Sequence, residues 1–277
     1  MSEIQAVVLG LIQGITEFLP VSSSGHLTIF KAIFGVETEN LSFEIAVHAA
    51  TVLSTIVALR KQIWKLLGGF FTLTKNPEKE YIFKIAVSMI PVFIVGIFFK
   101  DAIEGVFGSG LLIVGIMLMF TAVLLSLSEI LAKRQGASPL ENTMDEKDSS
   151  SISYKDAFIM GLAQAIAVLP GLSRSGATIS TGLILGVKKS AVAQFSFLMV
   201  LVPVLGEAFL ELISGNFSGA ESGISLLPLC LGFLSAFLSG LFACVLMIKL
   251  VMKAKLWGFA IYCALVGIAC VVSTLLA

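Results

Sequence analysis

The chain has 277 residues, of which 57% are hydrophobic and 13% are charged, and its mean hydropathy is +1.01. Soluble domains carry about 25% charged residues, so this composition excludes an ordinary soluble domain and indicates an integral membrane protein. The net charge is zero; we expect no nucleic-acid partner, and the placement of the charges along the chain is more informative than their sum.

The first apolar segment is too short to cross a bilayer. A spanning helix needs about 20 apolar residues, whereas residues 4–19 are followed by Pro20 and three consecutive serines, and the next apolar piece covers only 27–36. Two short helices around a polar break predict a re-entrant hairpin, which is tolerated where its backbone is buried in protein or lines a wet cavity. The alternative for residues 4–36 is one kinked span, or a segment that lies in the membrane interface.

Six longer apolar segments are predicted to span the membrane. Lys and Arg mark the cytoplasmic side; of the eighteen such residues, fifteen fall on one inferred side, two on the other, and Arg174 lies between two short apolar segments. This distribution predicts that both termini face outward. The predicted spans cover 42–59, 82–99, 109–131, 190–213, 226–248 and 257–276.

A polar stretch divides the chain into two halves. Residues 132–156 are poor in aromatic residues and predict a flexible cytoplasmic linker. Two short apolar pieces at 157–169 and 177–187 then predict a second re-entrant hairpin, which enters from the opposite face. The expected organisation is a first repeat at 1–131, the linker, and a second repeat at 157–277.

The two hairpins are copies of one another. The stretch that begins at Gly10 aligns without a gap with the stretch that begins at Gly161, 151 residues later. Three predicted spans separate equivalent points, so the second copy is inverted relative to the first. We therefore predict an all-α integral membrane protein with six transmembrane helices and two re-entrant helix hairpins in an inverted-topology repeat. The aligned identical pairs are Gly10/Gly161, Leu11/Leu162, Gln13/Gln164, Ile15/Ile166, Ser22/Ser173, Ser24/Ser175 and Gly25/Gly176.

The hairpin turns carry the polar residues that we expect to form one site. Gln13 and Glu17 share a helix face, and Arg174 offers a planar fork of donors that suits a phosphate. Free N–H groups at helix N-termini also bind anions. The pattern indicates a site for a diphosphate beside a divalent metal. Hydroxyls that contact the substrate or cap the helices are expected at Ser22, Ser24, Ser173, Ser175 and Thr178.

A lone carboxylate in a membrane helix is costly and marks a functional site, which makes Glu17 the first candidate. Arg174 either binds the substrate or serves as the counter-ion of Glu17. Gln13 either acts directly or satisfies backbone groups at a kink.

Two histidines are further candidates. His26 lies one helical turn beyond Ser22 and Ser23 and could take a proton from either. His48 lines the site or pairs with Glu44 across one turn.

The motifs resemble those of the undecaprenyl-diphosphate phosphatases linked to bacitracin resistance. The glutamate-rich motif of that family resembles residues 13–17, its Pro-Val-Ser-Ser-Thr/Ser-Gly-His stretch resembles 20–26, and its Pro-Gly-x-Ser-Arg-Ser-Gly-x-Thr signature resembles 170–178. The resemblance covers essentially the whole chain. The departure is Gln13, where many members carry Glu.

The resemblance implies removal of the terminal phosphate of undecaprenyl diphosphate, which recycles the lipid carrier for cell-wall synthesis and gives bacitracin resistance. It implies a bacterial cytoplasmic (inner) membrane protein with its active site toward the outer, periplasmic face. The implied catalytic residues are Glu17, Ser23, His26 and Arg174, with Mg²⁺ or Ca²⁺ held by Glu17 and Gln13. Whether Ser23 or His26 is the nucleophile stays open, as does the formation of a homodimer.

A second class of function fits the same pattern. Inverted repeats with broken helices are also typical of secondary carriers. A polyprenyl-phosphate flippase or anion transporter would need the anion site but not a nucleophile.

Overall fold

The computed structural model describes residues 1–36, 41–99, 105, 110–134, 152–213, 225–253 and 255–276. This part of the chain forms helices and turns and contains no strand. In chain order the helices are α1 Glu3–Phe18, α2 Ser23–Ile33, α3 Leu41–Ala58, α4 Arg60–Phe70, α5 Pro77–Phe98, α6 Gly110–Arg134, α7 Tyr154–Ile166, α8 Arg174–Ile184, α9 Lys189–Ile213, α10 Leu226–Lys253 and α11 Trp257–Leu276.

Five of these helices are long and apolar enough to cross a membrane: α5, α6, most of α9, α10 and α11. Helices α3 and α4 meet at a bend of 75° and make a sixth span if the pair is counted as one. The prediction of an all-α integral membrane protein is confirmed, and the predicted count of six spans is reached only with the bent pair. Helix α4 was not predicted from the sequence. The basic stretch after Leu59 continues as this helix.

The spans carry large apolar side chains on their outer surfaces, where they would face lipid. Phe93, Phe242 and Leu265 are each more than half exposed. The interior instead holds many buried polar side chains, among them Gln13 and His26. Polar side chains enclosed by an apolar exterior mark the centre of the bundle as the place to look for a functional site.

Both predicted hairpins consist of two short helices. Helices α1 and α2 have 16 and 11 residues, and α7 and α8 have 13 and 11. Helix α1 starts with a capping box at Ser2, and α7 starts with one at Ser153, the equivalent position of the second copy. Ser23 and Arg174, which are also equivalent, are the first residues of α2 and α8. The copies thus repeat in structure as well as in sequence, while their inverted orientation across a bilayer stays a prediction.

The second hairpin begins earlier than the sequence indicated. Helix α7 starts at Tyr154 rather than at 157 because Ser153 and Asp156 form a reciprocal cap, with Asp156 N donating to Ser153 Oγ at 3.1 Å and Ser153 N donating to Asp156 Oδ2 at 2.9 Å. Helix α6 extends to Arg134. Both ends of the predicted linker at 132–156 are therefore helical, and residues 135–151 lie outside the described residues.

The first helix of each hairpin packs against the middle span of the other copy. Helix α1 lies along α10, and α7 lies along α5. The backbones approach so closely that a Cβ atom on Gly10 would lie 2.3 Å from the Gly232 carbonyl oxygen, and one on Gly161 would lie 2.2 Å from that of Ser88. Small residues allow such contacts between membrane helices. Each half of the protein therefore packs its hairpin helix against a span of the other half.

We predict that Gly10→Ala destabilises the fold by about 1–3 kcal/mol, because the added methyl group would collide with the α10 backbone. Thermal unfolding of the purified protein in detergent measures the change. Gly96→Ala in α5 is the matched control, since nothing lies within 4 Å of its Cβ position. Equal melting temperatures of Gly10→Ala and Gly96→Ala would contradict the close packing of α1 on α10.

Candidate active site between two hairpin turns

The first turn connects α1 to α2 through a strained serine. Ser22 is the N-cap of α2, and its Oγ accepts a hydrogen bond from Gly25 N at 3.2 Å. Its φ angle is +69°, the one positive value at a non-glycine residue in the described part of the chain. Such a conformation costs on the order of 1–3 kcal/mol and is common at functional sites. The turn therefore maintains a strained backbone directly before Ser23.

The second turn has the same serine cap, although Ser173 has an ordinary φ of −76°, and this turn needs a glycine. Ser173 caps α8, and its Oγ accepts from Gly176 N at 3.0 Å. Gly171 has a φ of +88°, and a Cβ atom there would lie 2.6 Å from the Val114 carbonyl oxygen. Any other residue at position 171 would thus strain the backbone, and its side chain would collide with α6.

The two turns converge on one carboxylate. Ser23 Oγ donates to Glu17 Oε2 at 2.5 Å, and Arg174 Nη2 donates to Glu17 Oε1 at 3.2 Å. The turns also touch directly, because Ser175 Oγ donates to the Leu19 carbonyl oxygen at 3.2 Å. Glu17 therefore lies between the N-terminal ends of α2 and α8, where helix dipoles and free N–H groups favour negative charge.

Gln13 lies one turn before Glu17, as the spacing predicted, and its Nε2 donates to Glu17 Oε2 at 2.9 Å. Its Oε1 is buried and has no hydrogen-bond partner among the described residues. Gln164, the equivalent residue, is also buried with both amide atoms unpartnered, but Val168 stands where the first copy has Glu17. The carboxylate of the site therefore comes from the first hairpin alone, and the second hairpin contributes Arg174.

His26 bonds to neither of the two serine hydroxyls, Ser22 and Ser23, from which it could take a proton. Its Nδ1 lies 2.8 Å from the Ser22 carbonyl oxygen and its Nε2 lies 2.7 Å from Tyr262 Oη. The imidazole also stacks on the Tyr262 ring with centroids 5.5 Å apart. A carbonyl can only accept, so Nδ1 carries a proton. His26 thus connects the first turn to Tyr262 of α11, and the Ser23 hydroxyl donates its hydrogen bond to Glu17 instead.

His48 lies at the site, and it does not pair with the Glu44 side chain. Its Nε2 is 3.9 Å from Glu17 Oε2, while its Nδ1 donates to the Glu44 backbone carbonyl at 2.8 Å. The Glu44 carboxylate pairs with Lys31 of α2 instead. The sequence contained a signal for this placement, because His48, Thr51 and Thr55 repeat at helical spacing along one face of the mostly apolar α3.

The serines proposed to bind substrate divide into two groups. Ser22 and Ser173 cap their helices, and Thr178 is fully buried, donates to the Arg174 carbonyl oxygen at 2.9 Å and contacts Ser196. These three side chains are occupied by the protein itself. Ser24 and Ser175 are the second residues of their helices and do not cap them. Ser24 Oγ contacts Ser22 Oγ at 3.4 Å, and Ser175, which donates to the Leu19 carbonyl oxygen, lines a cavity beside Glu17.

The donor atoms fit a cation that shares its ligands with a phosphate. Among the described residues, no group of three or more His, Cys, Asp or Glu side chains could hold a metal alone. The unpartnered Gln13 Oε1 belongs to the amide that is bonded to Glu17. Magnesium commonly binds through one or two carboxylates plus substrate phosphates and water. The Glu17 carboxylate is such a ligand, and the Gln13 amide, whose nitrogen faces Glu17, would present its oxygen to the ion after turning over.

Fold and site together define a multi-pass membrane protein that holds a buried carboxylate, a guanidinium and several hydroxyls close together inside its apolar bundle. The family model described as bacitracin resistance protein BacA matches residues 6–269. The chain belongs to this family, and the resemblance noted in the motifs is confirmed.

Relatives match along almost the whole chain. An undecaprenyl-diphosphatase of Bacteroides fragilis is 54% identical over 98% of both chains. One of Parabacteroides distasonis is 52% identical over 100% of both chains, and one of Methanococcus vannielii is 40% identical over 95% of this chain and 96% of its own.

We predict that Ser173→Ala lowers stability by about 1 kcal/mol, since it removes the N-cap of α8. Thermal unfolding in detergent is the measurement, and Ser173→Thr, which can still cap, should recover most of the loss. Ser126→Ala is the control, because Ser126 Oγ bonds only the Ala122 carbonyl of its own helix at 2.8 Å. A Ser173→Ala protein as stable as the control would argue against the cap.

Proposed function

We propose that this protein is a membrane phosphatase that hydrolyses undecaprenyl diphosphate to undecaprenyl phosphate and inorganic phosphate. The family and the names of relatives at 52–54% identity support this activity. The observation that carries it is the contact of Ser23 Oγ with Glu17 at 2.5 Å, beside Arg174. A serine, a base and a guanidinium in one place are what phosphoryl transfer through a covalent intermediate requires.

In the first step Ser23 Oγ attacks the terminal phosphorus. Glu17 Oε2 accepts the serine proton as the new O–P bond forms, and the bond between phosphorus and the bridging oxygen breaks. Undecaprenyl phosphate leaves the site and returns to the pool of lipid carrier. Glu17 acts as the base because it already accepts the hydrogen bond of Ser23.

In the second step a water molecule attacks the phosphoserine. Glu17, after passing the serine proton to the leaving undecaprenyl phosphate, takes a proton from this water as the new O–P bond forms. The bond from phosphorus to Ser23 Oγ breaks, and Glu17 returns this proton to Ser23 Oγ. Inorganic phosphate is released. Both steps use Ser23 as the group that carries the phosphoryl and Glu17 as the base.

Arg174 and the helix N-termini bind the charged group. The Arg174 guanidinium pairs with Glu17, and both side chains are mostly buried, with 23% and 9% exposed. Phosphate oxygens that enter between α2 and α8 would meet the fork of Arg174 and the free N–H groups of two helix ends. Arg174 is thus the partner of Glu17 before binding and of the phosphate during the reaction.

Glu17 and Gln13 are the residues that would hold a divalent cation, Mg²⁺ or Ca²⁺. Such an ion offsets negative charge on phosphate oxygens when it is bound. Gln13 supplies a neutral oxygen where a carboxylate would attract the ion more strongly.

The proposed location is the bacterial cytoplasmic membrane, with the site toward the outer face. The split of the Lys and Arg residues supports this orientation. Recycling of the lipid carrier there would sustain cell-wall synthesis and would account for bacitracin resistance. A flippase or anion transporter is not favoured, because the short contact of Ser23 with Glu17 exceeds what anion binding requires.

Phosphate release from undecaprenyl diphosphate by the purified protein in detergent tests the activity. We expect Ser23→Ala to lower turnover by a factor on the order of 1,000 or more, since the nucleophile is removed. Ser126→Ala should match the wild type. A Ser23→Ala protein with near-normal turnover would exclude Ser23 as the nucleophile, whereas an inactive wild type would reject the phosphatase.

We expect Arg174→Lys to lose about 100-fold or more in turnover, because a lysine lacks the planar fork. Arg174→Ala should be no better. Steady-state kinetics and thermal unfolding check the result, with the exposed Arg60→Lys as control. A folded Arg174→Lys protein within about threefold of wild-type turnover would show that Arg174 serves only as the structural partner of Glu17.

Gln13→Glu should tighten cation binding and retain activity, because it adds a second carboxylate beside Glu17. The measurement is the rise in melting temperature as Mg²⁺ or Ca²⁺ is added to chelator-treated protein, which should occur at lower cation concentration in the variant. Glu17→Gln should abolish this rise. An identical cation response in wild type, Gln13→Glu and Glu17→Gln would place the ion elsewhere.

A further inference from the structure

The two ring nitrogens of His48 have different surroundings. Nδ1 lies 2.8 Å from the Glu44 carbonyl oxygen, which can only accept, so Nδ1 carries the proton of that hydrogen bond. Nε2 is aimed at Glu17 Oε2, which is 3.9 Å away. In the neutral ring Nε2 holds a lone pair, so two electron-donating atoms face one another at the site.

The separation of Nε2 and Oε2 is too long for a hydrogen bond and suits a shared ion. An N–H···O hydrogen bond joins atoms that are about 2.7–3.2 Å apart. Two ligand atoms that each lie about 2.0–2.2 Å from the same ion are roughly 3–4 Å apart. A cation between His48 Nε2 and Glu17 Oε2 therefore needs little movement of either side chain.

The fold holds the His48 imidazole in the tautomer that a metal ligand needs. A metal-bound histidine almost always donates its other ring N–H to a carboxylate, a backbone carbonyl or water, and His48 donates to the Glu44 carbonyl. The Glu44 carboxylate pairs with Lys31. His26 is bonded differently, because its Nε2 lies 2.7 Å from a tyrosine hydroxyl. Of the two histidines in the chain, His48 is thus the one that directs a ring nitrogen at Glu17.

A further ligand would strengthen the weak oxygen pair at this place. Gln13 offers a neutral oxygen, and this Oε1 is buried and has no hydrogen-bond partner in the part of the chain that the structure describes. The number and charge of the ligands set how tightly a divalent cation binds. An imidazole nitrogen raises the number of protein ligands to three and leaves other positions for phosphate oxygens and water.

We infer that His48 Nε2 is the third protein ligand of the cation at Glu17 and Gln13, and that it shifts the preference of the site toward a first-row transition metal such as Mn²⁺. The inference rests on the cation proposed for the phosphatase reaction. Carboxylate and carbonyl oxygens suit Mg²⁺, Ca²⁺ and Mn²⁺, whereas imidazole suits transition metals. Mn²⁺ accepts the two oxygens and gains more from the nitrogen than Mg²⁺ or Ca²⁺ does.

The ligands of bound Mn²⁺ can be observed directly. The probe is Mn²⁺ added to chelator-treated protein in detergent, purified without a polyhistidine tag and without imidazole. Electron spin echo envelope modulation detects a nitrogen nucleus that is bound to the ion, and we expect this modulation in the wild type. Because the chain has two histidines, two single variants assign the nitrogen. His48→Gln should lose the modulation, and His26→Gln should keep it.

Melting temperatures at increasing ion concentration separate a ligand from a structural residue. In His48→Gln the Mn²⁺ concentration that gives half of the maximal rise should increase about tenfold or more, because an oxygen replaces the nitrogen. The corresponding Mg²⁺ concentration should change by less than about threefold, since Mg²⁺ prefers oxygen ligands. A purely structural role of His48 would move both values by the same factor. His26→Gln is the matched control and should leave the ratio of the two values unchanged.

A wild type that binds no Mn²⁺, or whose bound Mn²⁺ shows no nitrogen modulation, overturns the inference, and this measurement does not depend on the folding of a variant. Modulation that survives in His48→Gln, or that disappears only in His26→Gln, also overturns it. These results leave the phosphatase intact, because phosphate release from undecaprenyl diphosphate is measured separately on the same preparation. A wild type that shows the modulation but releases no phosphate rejects the phosphatase and keeps His48 as a cation ligand.

Discussion

The central constraint in this protein is a single buried carboxylate that must be stabilised inside an apolar bundle. Glu17 accepts hydrogen bonds from Ser23 at 2.5 Å, from Gln13 at 2.9 Å and from Arg174 at 3.2 Å. Removing a carboxylate from water costs several kcal/mol unless such partners surround it. The donors that stabilise Glu17 are also those that the proposed phosphate substrate would need.

The fold brings those donors together from distant parts of the chain. Helix α1 lies on α10, α7 lies on α5, and the glycines at their crossings let the backbones touch. Each hairpin thus depends on a span from the other half, and the turns can meet only when both halves have folded. The Ser175 bond to the Leu19 carbonyl at 3.2 Å then holds the two turns together.

The two hairpins share a backbone plan, but their chemistry differs. Each turn has a capping serine at the same place, yet Glu17 corresponds to Val168 and His26 corresponds to Ala177. The second copy contributes a guanidinium where the first has Ser23. Such a division yields one site from two similar hairpins.

The sequence by itself determined the membrane class, most helix positions and the pairing of Gln13 with Glu17, because hydrophobicity, capping residues and helical spacing act over a few residues. It also indicated the two hairpins through their repeat. Only the tertiary structure decided that Ser23 bonds Glu17 while His26 bonds Tyr262, and that His48 faces Glu17 while Glu44 pairs with Lys31. Those outcomes depend on how α2, α3 and α11 pack, and contacts between residues as distant as His26 and Tyr262 leave no local pattern in the chain.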